Sequence, residues 1–303
     1  MIPGLQKSQY YLQRVLQRFA KVQWYFSTNY LKVPCRVCGG KTFKEMAYNR
    51  IFVKCSSCNF IFSGDFPEFT ANIGMGMSGS WGGAEKGGER EDYLVRMLAN
   101  DYGKKTFLLY GVGSTLAFPV LLQEGFDVYG CDVSEDVIRY RQSQFGKERF
   151  FHARELQTKI DRFDAIVACE VFEHFCNPKK WITRIVHSLR KDGIICGTTN
   201  FYLGKGIEDT NSIGYMGLAG HVAYWSEQSM EKMFNAFNMA LVAFEMICPG
   251  SIKPDPKYNL LFPNKRVFFL SSNSESMDKL KVLKMVVPVL PIDTSDYPVA
   301  VYK

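Results

Sequence analysis

The 303-residue chain lacks any uninterrupted apolar run of the roughly 18 residues that a membrane-spanning helix needs. Its first residues scatter Lys7, Arg14 and Arg18 among apolar side chains, without a signal-peptide core and a small-residue cleavage site. The nine cysteines are an odd number, which would leave one thiol unpaired in an oxidising compartment. These absences predict a non-secreted, cytoplasmic protein with no membrane span.

Acidic residues are scarce in the first 58 positions, where Glu45 is the only one. The same stretch carries ten basic residues, so it accounts for all of the chain's net charge of +7. A basic segment beside a near-neutral remainder indicates an anionic partner, such as RNA, a nucleotide sugar or a phosphorylated substrate. A solvated surface without a specific partner explains it equally well. The basic residues are Lys7, Arg14, Arg18, Lys21, Lys32, Arg36, Lys41, Lys44, Arg50 and Lys54.

Within this basic stretch, Cys35-x-x-Cys38 and Cys55-x-x-Cys58 lie sixteen residues apart. Each C-x-x-C pair places two sulfurs on one tight turn, and two such turns supply four thiolates to a tetrahedral zinc ion. Four cysteines leave no open position, so we expect the zinc to be structural. The alternatives are a redox dithiol or ordinary buried cysteines.

After residue 90, short apolar runs alternate with helical stretches, which is typical of βαβ units and a parallel sheet. Two last runs, 240–247 and 266–270, follow one another without a helix between them. We therefore predict an α/β fold: a Rossmann-like, mostly parallel seven-stranded sheet with a terminal antiparallel hairpin, preceded by a small zinc ribbon.

Composition divides the chain into five predicted parts. They are an N-terminal helix at 1–32, a four-cysteine zinc ribbon at 33–66, a glycine-rich linker or lid at 67–89, the α/β domain at 90–275 and a C-terminal tail at 276–303.

The first strand of the α/β domain runs into a glycine turn, Gly111-Val112-Gly113. Glycines at such a turn let the backbone approach a ligand closely. Asp132 follows 19 residues after Gly113, at the end of the second strand, where an acid is suited to bind ribose hydroxyls. A helix-capping or turn role for Asp132 is the alternative. The third glycine of a dinucleotide fingerprint is missing, which disfavours an NAD enzyme.

Four blocks of this region resemble the class I S-adenosylmethionine-dependent methyltransferases, and above all bacterial small-molecule methyltransferases that carry an N-terminal zinc ribbon. The blocks are FLLYGVGSTLAF, GFDVYGCDVSEDVI, FDAIVACEVFEHFCNPKKWITRIVHSLRKDGIICGTTN and HVAYWSEQSMEKMFNAFNM. The resemblance implies S-adenosylmethionine as cofactor. It also implies the cofactor-binding positions, which are Tyr110, Gly111, Gly113, Asp132, Val133, Cys169 and Glu170.

The chain departs from the family pattern at three places. Leu109 stands where an acid usually precedes the glycine turn, and Thr115 replaces the third small residue. The acid that often touches the adenine amine is replaced near Ala153 and Arg154. These departures leave open a binding protein with a decayed cofactor pocket.

Ionisable residues cluster after the fourth strand, at Glu170, Glu173 and His174. Their i, i+3, i+4 spacing predicts one shared helical face, on which His174 could take a proton from a substrate hydroxyl. Some quinone-type O-methyltransferases with a similar E-x-x-E-H pattern bind a divalent cation, which is a second interpretation. A structural role is a third. His221, at the end of a glycine-containing insertion, is a further candidate base.

The leading prediction is thus O-methylation of a small, anionic or sugar-like substrate, with His174, His221 and Glu170 as catalytic candidates. An RNA methyltransferase, whose basic zinc module grips phosphates, is the second hypothesis. A non-catalytic binding protein is the third. The sequence makes no prediction of the oligomeric state.

Overall fold

The computed structural model describes residues 33–47, 50–64, 88–113, 115–202, 216, 220–245 and 265–286. The predicted N-terminal helix lies outside the described residues, as do nearly all of the glycine-rich linker and most of the insertion after residue 201.

The cysteine module is a small antiparallel sheet. Its strands are β1 (Thr42–Ala47), β2 (Arg50–Cys55) and β3 (Ile61–Ser63), paired in that order. The first cysteine turn precedes β1, and the second joins β2 to β3. The sheet gains a fourth strand, β9 (Ala223–Tyr224), which follows β8 of the large sheet in the sequence.

The larger sheet has seven strands in the order β10-β11-β8-β7-β4-β5-β6. Strands β4, β5, β6, β7 and β8 are parallel, whereas β11 pairs antiparallel with both β8 and β10. The predicted α/β sheet with its terminal antiparallel pair is confirmed. The strands are β4 (Thr106–Tyr110), β5 (Asp127–Asp132), β6 (Phe150–His152), β7 (Phe163–Cys169), β8 (Leu189–Asn200), β10 (Ala240–Glu245) and β11 (Lys265–Ser271).

Helices cover both faces of the sheet, so its central strands are buried on both sides. The helices are α1 (Glu89–Tyr102), α2 (Ala117–Gln123), α3 (Glu135–Phe145), α4 (Pro178–Ser188), α5 (Glu227–Asn235) and α6 (Ser274–Val286). One core includes apolar residues of α1, α2, α3 and α6. The other includes residues of α4 and α5, and it continues without a break into Val53, Phe60 and Phe62 of the cysteine module.

Local signals explain where several helices begin. Ser134 caps α3, and Asn177 followed by Pro178 opens α4. Ser226 caps α5, since its hydroxyl accepts a hydrogen bond from the Ser229 backbone amide at the start of the helix. Three elements were not predicted: α1, the two-residue strand β9 and α6. Helix α6 begins at Ser274 and runs on to Val286, where we expected a tail from residue 276.

Within the described ranges, no helix combines the length and apolar character needed to cross a membrane.

Candidate functional site

The tips of strands β4 and β5 are tied together by backbone hydrogen bonds. The Gly111 and Val112 amides donate to the Cys131 carbonyl at 2.9 and 3.2 Å. One Asp132 carboxylate oxygen accepts from the Gly113 amide at 2.9 Å, and the other accepts from Val133 and Ser134 at 2.7 and 2.9 Å. A carboxylate offers about four acceptor positions, so room for one further donor remains. Asp132 therefore closes the glycine turn and can still accept a hydroxyl.

The turn requires glycine at its first position for two reasons. Gly111 has a φ of 73°, in the left-handed region that disfavours side chains. A Cβ on Gly111 would also lie 2.7 Å from Cγ2 of Val171, in the loop after β7. Gly113 has a φ of 46°, but a Cβ there would meet only a backbone oxygen at 4.0 Å. The turn is thus packed on one side and open at its second glycine.

Tyr110, directly before the turn, has a buried hydroxyl group that lacks a hydrogen-bond partner among the described residues. Burial raises the pKa of Tyr110 well above its usual value, so the hydroxyl stays protonated. An unpaired buried hydroxyl costs about 1–3 kcal/mol, which a polar ligand atom would recover. The residues at this turn therefore fit a polar, nucleoside-like ligand.

Glu170 follows β7 in a strained conformation, with a φ of 55°. Its amide donates to the Thr198 carbonyl at 2.9 Å, and its carboxylate accepts from the Thr198 hydroxyl at 2.9 Å. Arg90 of α1 donates to both Glu170 and Thr198 at 3.1 Å. The sequence did not predict Arg90 as a site residue, because no motif near it indicates that it contacts Glu170.

Glu170 does not share a helical face with Glu173 and His174, contrary to our interpretation of the spacing. The short 3-10 helix here contains Phe172–His174 alone. The left-handed backbone at Glu170 places that residue before the helix, where it contacts Thr198 and Arg90. Glu173 instead accepts a hydrogen bond from the Thr199 hydroxyl at 3.3 Å.

Glu173, His174 and His221 form a second group. One ligand-capable atom from each lies within 4.8 Å of the others. The two imidazole rings meet edge to face with centroids 5.0 Å apart. Glu173 and His221 are buried, so the group is largely shielded from water. Such a set can move a proton or bind a divalent cation.

The tautomer of His174 follows from its partner. Nδ1 of His174 lies 2.8 Å from the carbonyl oxygen of Gly220, which can only accept. Nδ1 therefore carries the hydrogen, and Nε2 keeps its lone pair. Burial lowers the pKa of His174, so the ring is neutral at physiological pH. His174 is thus prepared to accept a proton or a metal ion at Nε2.

The four predicted metal-binding cysteines lie together. The Sγ atoms of Cys35 and Cys58 are 3.7 Å apart, and those of Cys38 and Cys55 are 3.5 Å apart. Tetrahedral zinc with bonds of about 2.3 Å sets its sulfurs roughly 3.8 Å apart. Three of the sulfurs also accept backbone N–H groups two residues later, at 3.3–3.4 Å. The donor set and spacing fit a metal ion.

Basic side chains of the cysteine module are used to hold the α/β domain. Arg36 donates to the Cys176 carbonyl at 2.7 Å, and Lys54 donates to the Tyr202 hydroxyl at 2.7 Å. Arg50 is buried against the segment that carries His221. Phe52 and Phe60 of the module are fully buried, so their rings are not available to stack on bases. The positive charge of the module therefore does not by itself indicate a nucleic-acid surface.

Apart from the four cysteines, the predicted site residues thus fall into three places. Tyr110, Gly111, Gly113, Asp132 and Val133 surround the β4 and β5 tips, and Cys169 and Glu170 lie at the end of β7. His174 and His221 lie together beyond it. Asn200, at the end of β8, was not predicted; it is buried, and its side-chain oxygen has no hydrogen-bond partner in the described ranges.

Comparison with known proteins gives one family match. A family model described as "Methyltransferase domain" matches residues 88–243, just over half of the chain. Among curated proteins, the chain is similar to a ubiquinone biosynthesis O-methyltransferase from Dinoroseobacter shibae. The two are 29% identical over 128 residues, which is 37% of this chain and 52% of the relative. The chain thus spans about half the length of the curated relative that it matches.

The chain is also similar to two solved methyltransferase structures. A 1,6-didemethyltoxoflavin-N1-methyltransferase from Burkholderia thailandensis is 16% identical, with 76% of this chain and 98% of that chain covered and a TM-score of 0.48. The plantazolicin methyltransferase BpumL is 12% identical, with 68% and 97% covered and a TM-score of 0.47.

We predict that Gly111→Ala is more destabilising than Gly103→Ala. Gly103 has a similar φ of 63°, but a Cβ there would meet nothing within 4 Å. Gly103→Ala should cost about 1–2 kcal/mol for the left-handed backbone alone. Gly111→Ala should add about 1–3 kcal/mol, because its methyl group would collide with Val171. Urea denaturation measures both variants, and equal losses would contradict the close approach at the turn.

Proposed function

Because the chain belongs to the methyltransferase domain family, we propose that it transfers a methyl group from S-adenosylmethionine to an oxygen of a small acceptor molecule. The observation that carries this proposal is that a glycine turn and a neutral imidazole lie at the same edge of the sheet. The turn is closed by Asp132, and the imidazole, with its Nε2 lone pair, lies beyond the end of β7.

Residues at the first two strand tips would hold the cofactor, which supplies an activated methyl group on a sulfonium. The backbone at Gly111 and Gly113 gives the adenosine room, and Asp132 accepts a ribose hydroxyl at its remaining acceptor position. Tyr110 and Val133 complete this part of the site, and Cys169 lies where β7 ends. Leu109 and Thr115 depart from the family pattern, yet the turn that they flank is intact.

Arg90 and Glu170 would bind the charged end of the cofactor. A guanidinium is a strong carboxylate receptor, and the methionine part of S-adenosylmethionine carries a carboxylate. Glu170 and Thr198 hold Arg90 in place through bonds of 3.1 Å. In this proposal Glu170 is a positioning residue for Arg90, rather than a base.

His174 is the proposed general base, and the ring of His221 packs against it with centroids 5.0 Å apart. The Gly220 carbonyl holds Nδ1–H of His174, so Nε2 can accept the proton that an acceptor hydroxyl loses as it is methylated. The curated relative is an O-methyltransferase, which agrees with a hydroxyl acceptor. Oxygen acceptors need such a base, whereas an already nucleophilic amine does not.

We also propose that the module at 33–66 is a zinc ribbon whose Cys35, Cys38, Cys55 and Cys58 hold one structural zinc ion. Three of its cations, Arg36, Arg50 and Lys54, are used in contacts with the α/β domain, which supports a small acceptor over RNA. In the same proposal, the catalytic domain begins at about residue 90 and includes α6, whose Met277 and Leu280 lie in its core, and residues 67–89 link it to the zinc ribbon.

A second role for the Glu173, His174 and His221 group is to bind a divalent cation that activates the acceptor hydroxyl. The proximity of the three ligand-capable atoms favours it. Two histidines and one carboxylate leave open positions for a substrate oxygen.

We expect Asp132→Ala to weaken binding of S-adenosylhomocysteine by at least about tenfold, because it loses a hydrogen bond to a charged group worth about 1.5–3 kcal/mol. Asp136→Ala is the matched control, since Asp136 lies nearby in the first turn of α3 with an exposed side chain. Isothermal titration calorimetry measures both. Unchanged affinity in Asp132→Ala would remove the carboxylate from the cofactor site.

His174→Gln should lower kcat by about 100-fold or more, because the glutamine cannot take up a proton. The exposed His187 of α4 provides the control, and His187→Gln should stay within about twofold of the wild type. Transfer of tritium from labelled S-adenosylmethionine to a panel of phenols and hydroxylated acids measures the rate. A fully active His174→Gln variant would show that the base lies elsewhere.

Metal analysis of the purified chain separates the two metal hypotheses. The zinc ribbon alone predicts about one zinc ion per chain, which Cys35→Ser should remove together with much of the stability of the module. A cation at the second group predicts one further divalent ion, which Glu173→Gln should remove while the zinc remains. A metal-free wild-type chain would contradict both hypotheses.

A further inference from the structure

His221 lies in a short stretch of backbone that is held from two opposite sides. From the α/β domain, the Gly220 carbonyl accepts from His174, and the Val222 amide donates to the Glu173 carbonyl at 2.8 Å. These bonds connect the stretch directly to the two other members of the candidate catalytic group.

From the cysteine module, the Val222 carbonyl accepts from the Ser63 amide at 2.9 Å, next to the pairing of β3 with β9. The carbonyl of His221 itself accepts from the guanidinium of Arg50 at 3.0 Å. The hydroxyl of Tyr224 also contacts the His221 carbonyl, at 2.7 Å. One side of the backbone around His221 is therefore built by the module.

Arg50 joins most of these groups through one side chain. It is the first residue of β2, five positions before Cys55, and it is only 7% exposed. Its guanidinium contacts the Met216 carbonyl at 2.8 Å, the Ser63 hydroxyl at 3.1 Å and the Tyr224 hydroxyl at 3.1 Å, besides the His221 carbonyl. Its planar array of five N–H donors can serve several acceptors at fixed angles, which a lysine ammonium cannot do.

We propose that Arg50 is a positioning residue of the catalytic site, through which the zinc ribbon sets the place of His221 beside His174. The inference rests on the proposed function for its catalytic meaning, but the positioning itself is a separate structural claim. It assigns the cysteine module a role in forming the site, rather than in capturing a nucleic acid.

Substitution of Arg50 should release His221 while leaving the cysteine turns intact. The hydrogen bonds of Arg50 described above go to Met216, Ser63, Tyr224 and His221, and not to the four sulfurs. Arg50→Met keeps the aliphatic length but removes every donor. Arg50→Lys keeps the charge and some of the bonds, so its effect should be intermediate. Gln228→Ala is the matched control: exposed Gln228 also joins the module to α5, by a bond to the Ser57 carbonyl at 3.2 Å, but it does not contact His221.

The test uses the zinc-loaded full chain labelled with nitrogen-15 at histidine. The chain has four histidines, so the ring signals can be assigned from single substitutions. In Arg50→Met, the ring signals of His221 and His174 should shift or broaden, while those of His152 and His187 stay in place. Arg50→Lys should show a smaller shift, and Gln228→Ala none. Zinc content and the affinity for S-adenosylhomocysteine should remain within about twofold of the wild type.

Unmoved signals of His221 and His174 in Arg50→Met would overturn the proposal. So would equal shifts of all four histidines in both Arg50 variants, because they would report a general loss of structure. An equal effect of Gln228→Ala would also overturn it, since any loosening of the module would then suffice. None of these spectra requires methyl transfer, so a wrong acceptor class would leave the result unaffected.

Discussion

The half of the candidate site that contains His174 and His221 depends on the pairing of β3 with β9, in which Ile61 and Phe62 lie opposite Tyr224 and Ala223. This pairing adds a strand of the α/β domain to the sheet of the cysteine module. It also brings the Phe60 ring to 4.9 Å from Trp225, and the hydrophobic core on the α4 and α5 side of the large sheet continues into the module. A module with so few strands has little core of its own, so the shared core stabilises it as the metal ion would.

The two halves of the candidate site are built by different means. The cofactor half relies on backbone: amides of the glycine turn converge on the Cys131 carbonyl and the Asp132 carboxylate. The chemical half relies on side chains from loops that distant parts of the chain hold in place, such as His174 and His221. This division suits methyl transfer, because the cofactor is already activated and alignment of the acceptor provides much of the rate. The turn keeps its hydrogen bonds although Leu109 and Thr115 beside it depart from the family pattern, because backbone groups carry its geometry.

Features with a local cause could be predicted from the sequence. The cysteine spacing, the alternation of strands and helices, the glycine turn with Asp132 and the Ser226 cap all depend on neighbouring residues. Non-local features could not. Strand β9 is two residues long and forms only because β3 offers an edge. In the sequence, the buried Arg50 cannot be distinguished from the solvent-exposed basic residues around it. The expectation of one helical face for Glu170, Glu173 and His174 failed because the backbone turns left-handed at Glu170, which the spacing cannot reveal.

The linkage between module and domain also constrains the order in which the molecule can form. The hydroxyl of Ser226 donates to the carbonyl of Cys58 at 2.8 Å, across 168 residues of sequence. On the ribosome, the cysteine turns therefore emerge long before the edge strand that completes their sheet. The nascent module must wait, with an open strand edge and exposed aromatic rings, until most of the catalytic domain has been synthesised. Early metal capture would protect the growing chain during this interval.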